Sequence, residues 1–397
     1  MVSELIHRPQ FATEAGTLRY RERHSHGKAD DAFSVIGKLH LSSLGIGTYL
    51  GRPDDATDRA YVEALVEAVR QGVNVIDTAA NYRQRRSERA VGRALARLFE
   101  MGEVYRSELL IASKAGFVPM DDGPPDDPLA FFKSRTVGRG LARDDELRCG
   151  CHCIAPAYLR ATLKESLHAL GLATIDVYFL HNPESQLQEI DRPAFVDRMR
   201  RAFETMERAA DDGQIRAYGV ASWPGLRAAQ SDRDYLSLRD LWALAVEVGG
   251  PGHRFRAVEM PLNLHLPEAH SLANQMDKNG RDASTLAVAQ ELGLVVFASA
   301  SLGQGRLAAM PAAPAMPDGH HVPQDADSRV HTALQFARSA PGVTTALVGM
   351  SKIEHVRSNV RTLSHKRMPR SWLDAVATPH GAAICDPRSD DRDKTVS

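Results

Sequence analysis

The sequence predicts an α/β fold of the (β/α)8 TIM-barrel class with long loops on its C-terminal face, and three observations lead there. Eight short apolar runs rich in β-branched residues recur along the chain, helical periodicity fills the intervals, and no glycine-rich dinucleotide fingerprint follows the first run. The runs are 43–49, 73–79, 109–115, 174–181, 215–222, 256–263, 294–301 and 344–351. Most are continuous rather than alternating, the pattern of strands buried on both faces of a parallel sheet. Eight strands, each followed by a helix, is the arithmetic of a closed barrel. A doubly wound open sheet would place a third glycine at the start of the first helix. The chain has Gly45-Ile46-Gly47-Thr48-Tyr49 there, with no third glycine opening a helix.

In chain order, residues 1–40 are polar and read as a hairpin or mobile arm ahead of a barrel spanning 41–362. The first barrel helix shows Val62, Leu65, Val66 and Val69 at i, i+3, i+4, i+7 spacing, with Gly72 as its stop. A long insertion, 117–155, follows the third strand and contains Asp121-Asp122-Gly123-Pro124-Pro125 and three closely spaced cysteines. Pro156 opens the next helix, which buries Leu159, Leu163, Leu167 and Leu170 before Gly171. Phe195, Met199, Phe203 and Met206 mark another, ended by Gly213. An Ala- and Pro-rich segment, 308–326, follows the seventh strand, and the tail 363–397 carries one apolar patch at 372–376. Both insertions follow strands, so they belong on the C-terminal face, where barrel enzymes work. They are candidate substrate-enclosing loops or plain surface loops.

Bulk properties exclude several classes. With 43% hydrophobic and 25% charged residues the 397-residue chain has the make-up of a globular enzyme. A net charge of −1 supplies no field to recruit nucleic acid or an anionic membrane. No run approaches the roughly 18 apolar residues of a membrane span, and Met1 to Gly16 lacks a signal-peptide core. Four cysteines do not make a disulfide framework in a chain this long. The expected location is the cytoplasm, and oligomeric state has no readable signal. Cys149, Cys151 and Cys153, with His152, read as a soft-metal site, a redox-sensitive group, part of a substrate pocket or simple packing; their spacing is too tight for an ordinary tetrahedral zinc site, and no metal ligand is assigned.

Asp77 stands where the second strand ends, and Tyr82 lies in the turn beyond it. Lys114 ends the third strand and His181 the fourth. Each has a bland reading, such as a snorkelling lysine or a loop-bonded histidine. A charged group directly after a buried run nevertheless costs desolvation unless it is partnered or opens into a cleft. Ends of three consecutive barrel strands converge on one rim. Arg83, Arg85 and Arg86, after Tyr82, read as an attractor for an anionic substrate or as a solvated helix entry.

Over residues 40 to 361 the pattern resembles the aldo-keto reductase superfamily. The motifs are Gly45-Ile46-Gly47-Thr48-Tyr49, Asp77-Thr78-Ala79-Ala80-Asn81-Tyr82, Ser87-Glu88 with Gly92, and Ser113-Lys114. Ser166-Leu167 with Leu170, Ile175-Asp176-Val177-Tyr178 leading to His181, Gly213 with Tyr218-Gly219-Val220, and Gly349-Met350-Ser351 with Asn359 complete them in order. The resemblance implies a catalytic tetrad of Asp77, Tyr82, Lys114 and His181. Reduction of a carbonyl leaves an alkoxide that needs a proton, and a free phenol with a pKa of about 10 is a sluggish donor. Lys114 would lower the Tyr82 pKa, Asp77 would hold Lys114, and His181 would orient the carbonyl oxygen.

The resemblance also implies a nicotinamide dinucleotide across the barrel top, NADP(H) in preference to NAD(H). Gly47, Thr48, Tyr49 and Asp77 would line it. Ser301, Leu302, Gly305 and Arg306 would cover the pyrophosphate, and Gly349, Ser351, Lys352, His355 and Asn359 would take the adenosine end, where a helix N-terminus suits a phosphate. Three sites depart from the family's habit. His355 stands where many members have an arginine, Ala221-Ser222 replaces Ser-Asn at the carboxamide, and Glu259 replaces a glutamine there. The implied partner is a small carbonyl or alcohol whose identity the loops do not reveal. A dinucleotide-binding accessory protein and a sugar-phosphate lyase or isomerase are the competing functions.

Overall fold

The computed structural model describes residues 10–121, 125–309 and 326–377. Eight parallel strands close into a barrel: β1 Leu44–Gly47, β2 Val75–Asp77, β3 Leu110–Ala115, β4 Ile175–His181, β5 Ile215–Ala221, β6 Phe255–Pro261, β7 Val295–Ser299 and β8 Thr345–Gly349. Seven lie inside the apolar runs read from the sequence, and β6 begins one residue ahead of its run, at Phe255. Neighbours follow chain order, and β8 pairs with β1 from Ala346 opposite Leu44 to Gly349 opposite Gly47, which closes the ring. The intervening helices are α1 Asp55–Arg70, α2 Arg86–Glu100, α3 Pro156–Leu170, α4 Arg192–Asp211, α5 Leu238–Gly249, α6 Thr285–Glu291 and α7 Ala326–Ser339, with α8 Ile353–Val360 after the last strand. The fold is a (β/α)8 barrel.

The strand pleat sorts the core into two layers. Val75, Leu110, Ala112, Val177, Phe179, Ala257, Phe297 and Leu347 pack together inside the barrel, where Phe179 and Phe297 meet with ring centroids 5.4 Å apart. The alternate residues Ile76, Ile111, Tyr178, Val258 and Val296 join the layer against the helices. Two residues beyond Val75, Ala112, Phe179 and Ala257 stand Asp77, Lys114, His181 and Glu259. Side-chain alternation therefore brings all four to the interior at the C-terminal rim.

The N-terminal segment is more ordered than a mobile arm. Helix Glu14–His24 is capped by Thr13, whose hydroxyl accepts the Gly16 N–H at 3.0 Å. An antiparallel hairpin follows, Phe33–Ile36 with Leu39–Ser42. Ala12 and Leu41 join the interior cluster, so this segment plugs the end of the barrel away from the rim. The tail patch at 372–376 falls in helix Arg370–Ala377, which buries Leu373. The 117–155 insertion carries helix Pro128–Arg135 and its own small core of Val118, Phe132, Leu147, Cys153 and Ala155 against Tyr158 of α3. Most of the 308–326 segment and of the 363–397 tail lies outside the described residues. Among the described residues no helix is long and apolar enough to cross a membrane.

Candidate active site

Lys114 is the hub of the rim. Its side chain is wholly buried, and its ammonium donates to Asp77 Oδ1 at 2.6 Å, Asp77 Oδ2 at 2.5 Å and the Thr78 carbonyl at 3.1 Å. A second carboxylate approaches from β6: Glu259 Oε2 lies 3.2 Å from Lys114 Nζ but receives no hydrogen bond. The three ammonium protons are already spent on Asp77 and Thr78. Glu259, the residue at the family's carboxamide position, therefore also stands beside Lys114. Nothing in local sequence signals this contact, although the parity of Ala257 and Glu259 on β6 does place the side chain inside.

Tyr82 is 8% exposed, and its ring centroid lies 5.0 Å from Lys114 Nζ. Its ring also meets Tyr49 edge-on at 5.0 Å and His181 at 5.8 Å. Burial raises the phenol well above its ordinary value, and the pull of Lys114 in the other direction is smaller. The expected net lowering is thus reversed by desolvation. Burial, then the charge of Asp77, pushes Glu259 up to about 8 against the pull of Lys114. Asp77 is also raised by burial, with Lys114 opposing. For Lys114 burial works against the charge, but Asp77 and Glu259 outweigh it and hold the cation.

The turn that carries Tyr82 is held under strain. Arg83, Gln84 and Arg85 have φ of 48°, 55° and 63°, left-handed values that cost a non-glycine residue roughly 1–2 kcal/mol each. The side chains of two of them are anchored. Arg83 donates to the Arg52 carbonyl at 3.0 and 2.8 Å and to Asp58 at 2.6 Å, and Arg85 pairs with Glu165 at 2.6 Å and Asp121 at 3.1 Å. Arg86 pairs with Asp55 and Asp58. These arginines are neither a solvated entry face nor an open anion attractor. A polar cleft of about 250 Å³ beside them, between the insertion, α2 and α3, is lined by Arg85, Arg89, Arg135 and Arg139 together with Asp121 and Glu165. Arg85, Arg135 and Arg139 are already paired to those two carboxylates.

His181 closes the fourth side. Its Nδ1 is buried with no hydrogen-bond partner, and burial, then Lys114 and His152, keeps the imidazole neutral, well below 6.5. Phe117, from the insertion, packs edge-on against it at 5.2 Å. His152 Nε2 meets the His181 carbonyl at 2.8 Å, and its Nδ1 meets Gln186 at 2.8 Å. Burial lowers His152 to about 4, so it too is neutral. The cysteines around it differ in burial: Cys149 is exposed with its thiol on the Ser185 carbonyl, Cys153 is in the insertion core and half-buried Cys151 packs against that core. Among the described residues no group of His, Cys, Asp or Glu is placed to hold a metal ion. The imidazole of His152 ties the insertion to the end of β4, a contact that the spacing of the motif does not signal.

The residues expected to hold a dinucleotide divide into two kinds. Gly47 ends β1 beside Asp77, and Thr48 spends its hydroxyl on Thr78 Oγ1 at 2.9 Å and the Asp77 carbonyl at 3.2 Å. Tyr49 stays 51% exposed at the rim. Ser222 donates to buried Glu184 at 2.7 Å, so its hydroxyl proton is committed away from a carboxamide. Ser301 is buried and bonded to the Ala298 carbonyl at 3.1 Å. Leu302, Gly305 and Arg306 form the turn into helix Arg306–Ala309. Gly349 is exposed at the end of β8, Ser351 is half-buried, and Lys352 and His355 are exposed at the start of α8, with Asn359 buried near its end. Because β7 and β8 adjoin, these turns occupy one side of the rim. The buried, unsatisfied His181 Nδ1 and Glu259 Oε2, and the exposed Lys352 after β8, are groups that suit a ligand carrying a polar ring and a phosphate.

The model of the Aldo/keto reductase family matches residues 43–238. The uncharacterized oxidoreductase YqkF of Bacillus subtilis (strain 168) is 23% identical over 358 residues, 85% of this chain and 92% of that protein. The NADH-specific methylglyoxal reductase of Escherichia coli (strain K12) is 28% identical over 208 residues, 51% of this chain and about half, 54%, of the reductase. Among solved structures, an aldo/keto reductase from Klebsiella pneumoniae in complex with NADP and acetate matches with a TM-score of 0.54 at 19% identity, covering 87% of this chain and 94% of that one. At that identity the likeness speaks for the fold.

Proposed function

The chain belongs to the aldo-keto reductase superfamily, and on that premise we propose that it reduces an aldehyde or ketone to an alcohol, or runs the reverse oxidation, with Tyr82 as proton donor. The observation that carries this reading is the buried group of Asp77, Lys114 and His181 on three consecutive strand ends, with Tyr82 against the Lys114 ammonium. A nicotinamide dinucleotide, NADP(H) in preference to NAD(H), would supply the hydride. Tyr82 then passes its phenolic proton to the carbonyl oxygen. The Lys114 charge stabilises the phenolate left behind, and Asp77 keeps that charge in place. His181, neutral and with a free ring nitrogen, orients the carbonyl oxygen. Phe117 and Tyr49 flank the reacting groups and exclude water. Residues Ser351 and Lys352 ahead of α8 would hold the adenosine phosphate.

An accessory protein without turnover would not need a desolvated lysine between two carboxylates, an arrangement costly to fold. The test is to titrate tryptophan fluorescence with NADPH and NADH, then assay aldehydes and alcohols with the tighter binder. Tyr82→Phe should bind the dinucleotide as the parent does and turn over on the order of 10²–10⁴ more slowly. Undiminished turnover would remove Tyr82 from the mechanism. Failure of either dinucleotide to quench would favour chemistry without nicotinamide.

A further inference from the structure

We propose that Glu259 is a positioning residue that carries a proton while the enzyme reduces its substrate, and that loss of this proton sets an alkaline limit on reduction and favours the oxidised dinucleotide. The proposal rests on the reductase reading above and concerns a residue that departs from the family's glutamine.

Charge counting makes the case first. The interior of the rim holds one cation, Lys114, and two carboxyls, Asp77 and Glu259, with side chains 0%, 4% and 7% exposed. If both carboxyls were ionised the site would carry a net negative charge out of reach of water. A buried carboxylate in that position takes a proton rather than remain uncompensated. Geometry decides which one. Asp77 receives two ammonium hydrogen bonds, at 2.5 and 2.6 Å, whereas Glu259 Oε2 is 3.2 Å away and receives none. Asp77 is therefore the anion and Glu259 the acid.

The surroundings of Glu259 agree. Its register partners on the flanking strands are Ala221 of β5 and Phe297 of β7, neither of which titrates. The charged and titratable groups facing it are Asp77 on β2, Lys114 on β3 and Tyr82 in the turn after β2. Burial and Asp77 together push its pKa up to about 8. In its neutral form the side chain offers the same planar outline as glutamine, with a hydroxyl in place of the amide nitrogen. The sequence departure is thereby reconciled with the site: neutral Glu259 imitates the usual residue, and ionised Glu259 does not.

Ionisation releases the proton to solvent and has two consequences. A second carboxylate beside Lys114 opposes its stabilisation of the Tyr82 phenolate, so proton delivery slows. It also adds negative charge where the oxidised nicotinamide ring is positive and the reduced ring is neutral. By linkage, a carboxylate that favours the oxidised dinucleotide is itself more readily ionised when that form binds.

The experiment compares the full chain with Glu259→Gln and Glu259→Ala. In infrared titration of the unliganded proteins, the parent-minus-Gln difference should show a protonated carboxyl band at neutral pH that fades as pH rises through about 8. With dinucleotides, the affinity ratio of oxidised to reduced form should rise about tenfold with pH in the parent and stay flat in Glu259→Gln. Reduction by the parent should fall over the same interval, while Glu259→Ala should be about tenfold slower at neutral pH and Glu259→Gln should recover most of that loss. A parent and a Gln variant with the same band, or with parallel pH profiles, overturn the proposal. If no dinucleotide binds at any pH, the reductase reading fails, and the infrared difference still decides the protonation of Glu259.

Discussion

Between β2 and β6 the barrel rim holds its charged groups buried against one another, whereas over β7 and β8 several of the groups expected to meet a dinucleotide are exposed. Lys114, Asp77, Glu259 and Glu184 are all buried, and every one touches another side chain of the cluster or a committed backbone group. Gly349, Lys352 and His355 are exposed, and Ser351 is half so. The difference follows from what each side must do. Proton delivery needs charges fixed in a low dielectric before substrate arrives, because reorganisation during the reaction is costly. Capture of a large, highly charged dinucleotide needs solvated groups that lose water only when the ligand replaces it. Substitutions on the buried side should therefore disturb folding as well as function, and those on the open side function alone.

The largest break in that contrast comes from Lys114→Met. Removing the cation leaves Asp77 buried without its partner, which costs about 3–5 kcal/mol. The expected result is a large drop in the urea midpoint at pH 8 and a smaller one at pH 5, where the carboxyls more readily take protons. An equal drop at both would assign the loss to packing instead of charge.

Glu184→Gln is the next smaller test on the same side. Glu184 accepts from Ser222 Oγ at 2.7 Å and from the Trp223 and Gly225 N–H groups at 2.9 and 3.3 Å, yet burial raises it from 4.5 to about 7. The folded protein holds a proton that the unfolded chain has lost between those values. Its stabilising contribution is complete below about 4.5 and disappears as pH rises through about 7. Glutamine keeps the accepting oxygen and cannot ionise, so the variant should lack this slope. It should gain about 1–3 kcal/mol on the parent near pH 9. Parallel stability profiles of the two proteins would show that Glu184 is ionised throughout.

How much of this was legible in the sequence depends on the range of the signal. The eight strands were readable because apolar runs and glycine stops are local, and the convergence of Asp77, Lys114 and His181 followed from the closed topology those strands imply. The approach of Glu259 to Lys114 was not legible, because no local pattern announces that β6 faces β3 across the barrel; only the parity of Ala257 carries that information. Helix Glu14–His24 escaped notice for another reason. It has no apolar stripe, burying only Gly16, Thr17 and Tyr20, and is tied down by Arg19 and Arg23 on buried Glu108 and by the Tyr20 hydroxyl on the Val69 and Val73 carbonyls. The crowded cysteines, for which packing was one reading, share the insertion core through Cys151 and Cys153 while Cys149 stays exposed, and His152 among them is what reaches the rim. The net rise of the Tyr82 phenol was likewise invisible, since burial is a property of the fold and not of the motif.

The smallest expected effect tests the open side. Lys352 is exposed immediately before α8, and Ser351 precedes it at the end of the β8 turn. If this side captures the adenosine phosphate, Lys352→Ala should weaken NADPH by about 1 kcal/mol, roughly fivefold, the worth of one charge at a solvated helix start. NADH, which lacks that phosphate, should bind within about twofold of the parent, and the unfolding midpoint should shift by no more than about 0.5 kcal/mol. Equal weakening of both dinucleotides would move Lys352 from the adenosine phosphate to the pyrophosphate. A loss of stability comparable with that of Lys114→Met would erase the contrast itself, since it would make the β8 side as dependent on buried charge as the β3 side.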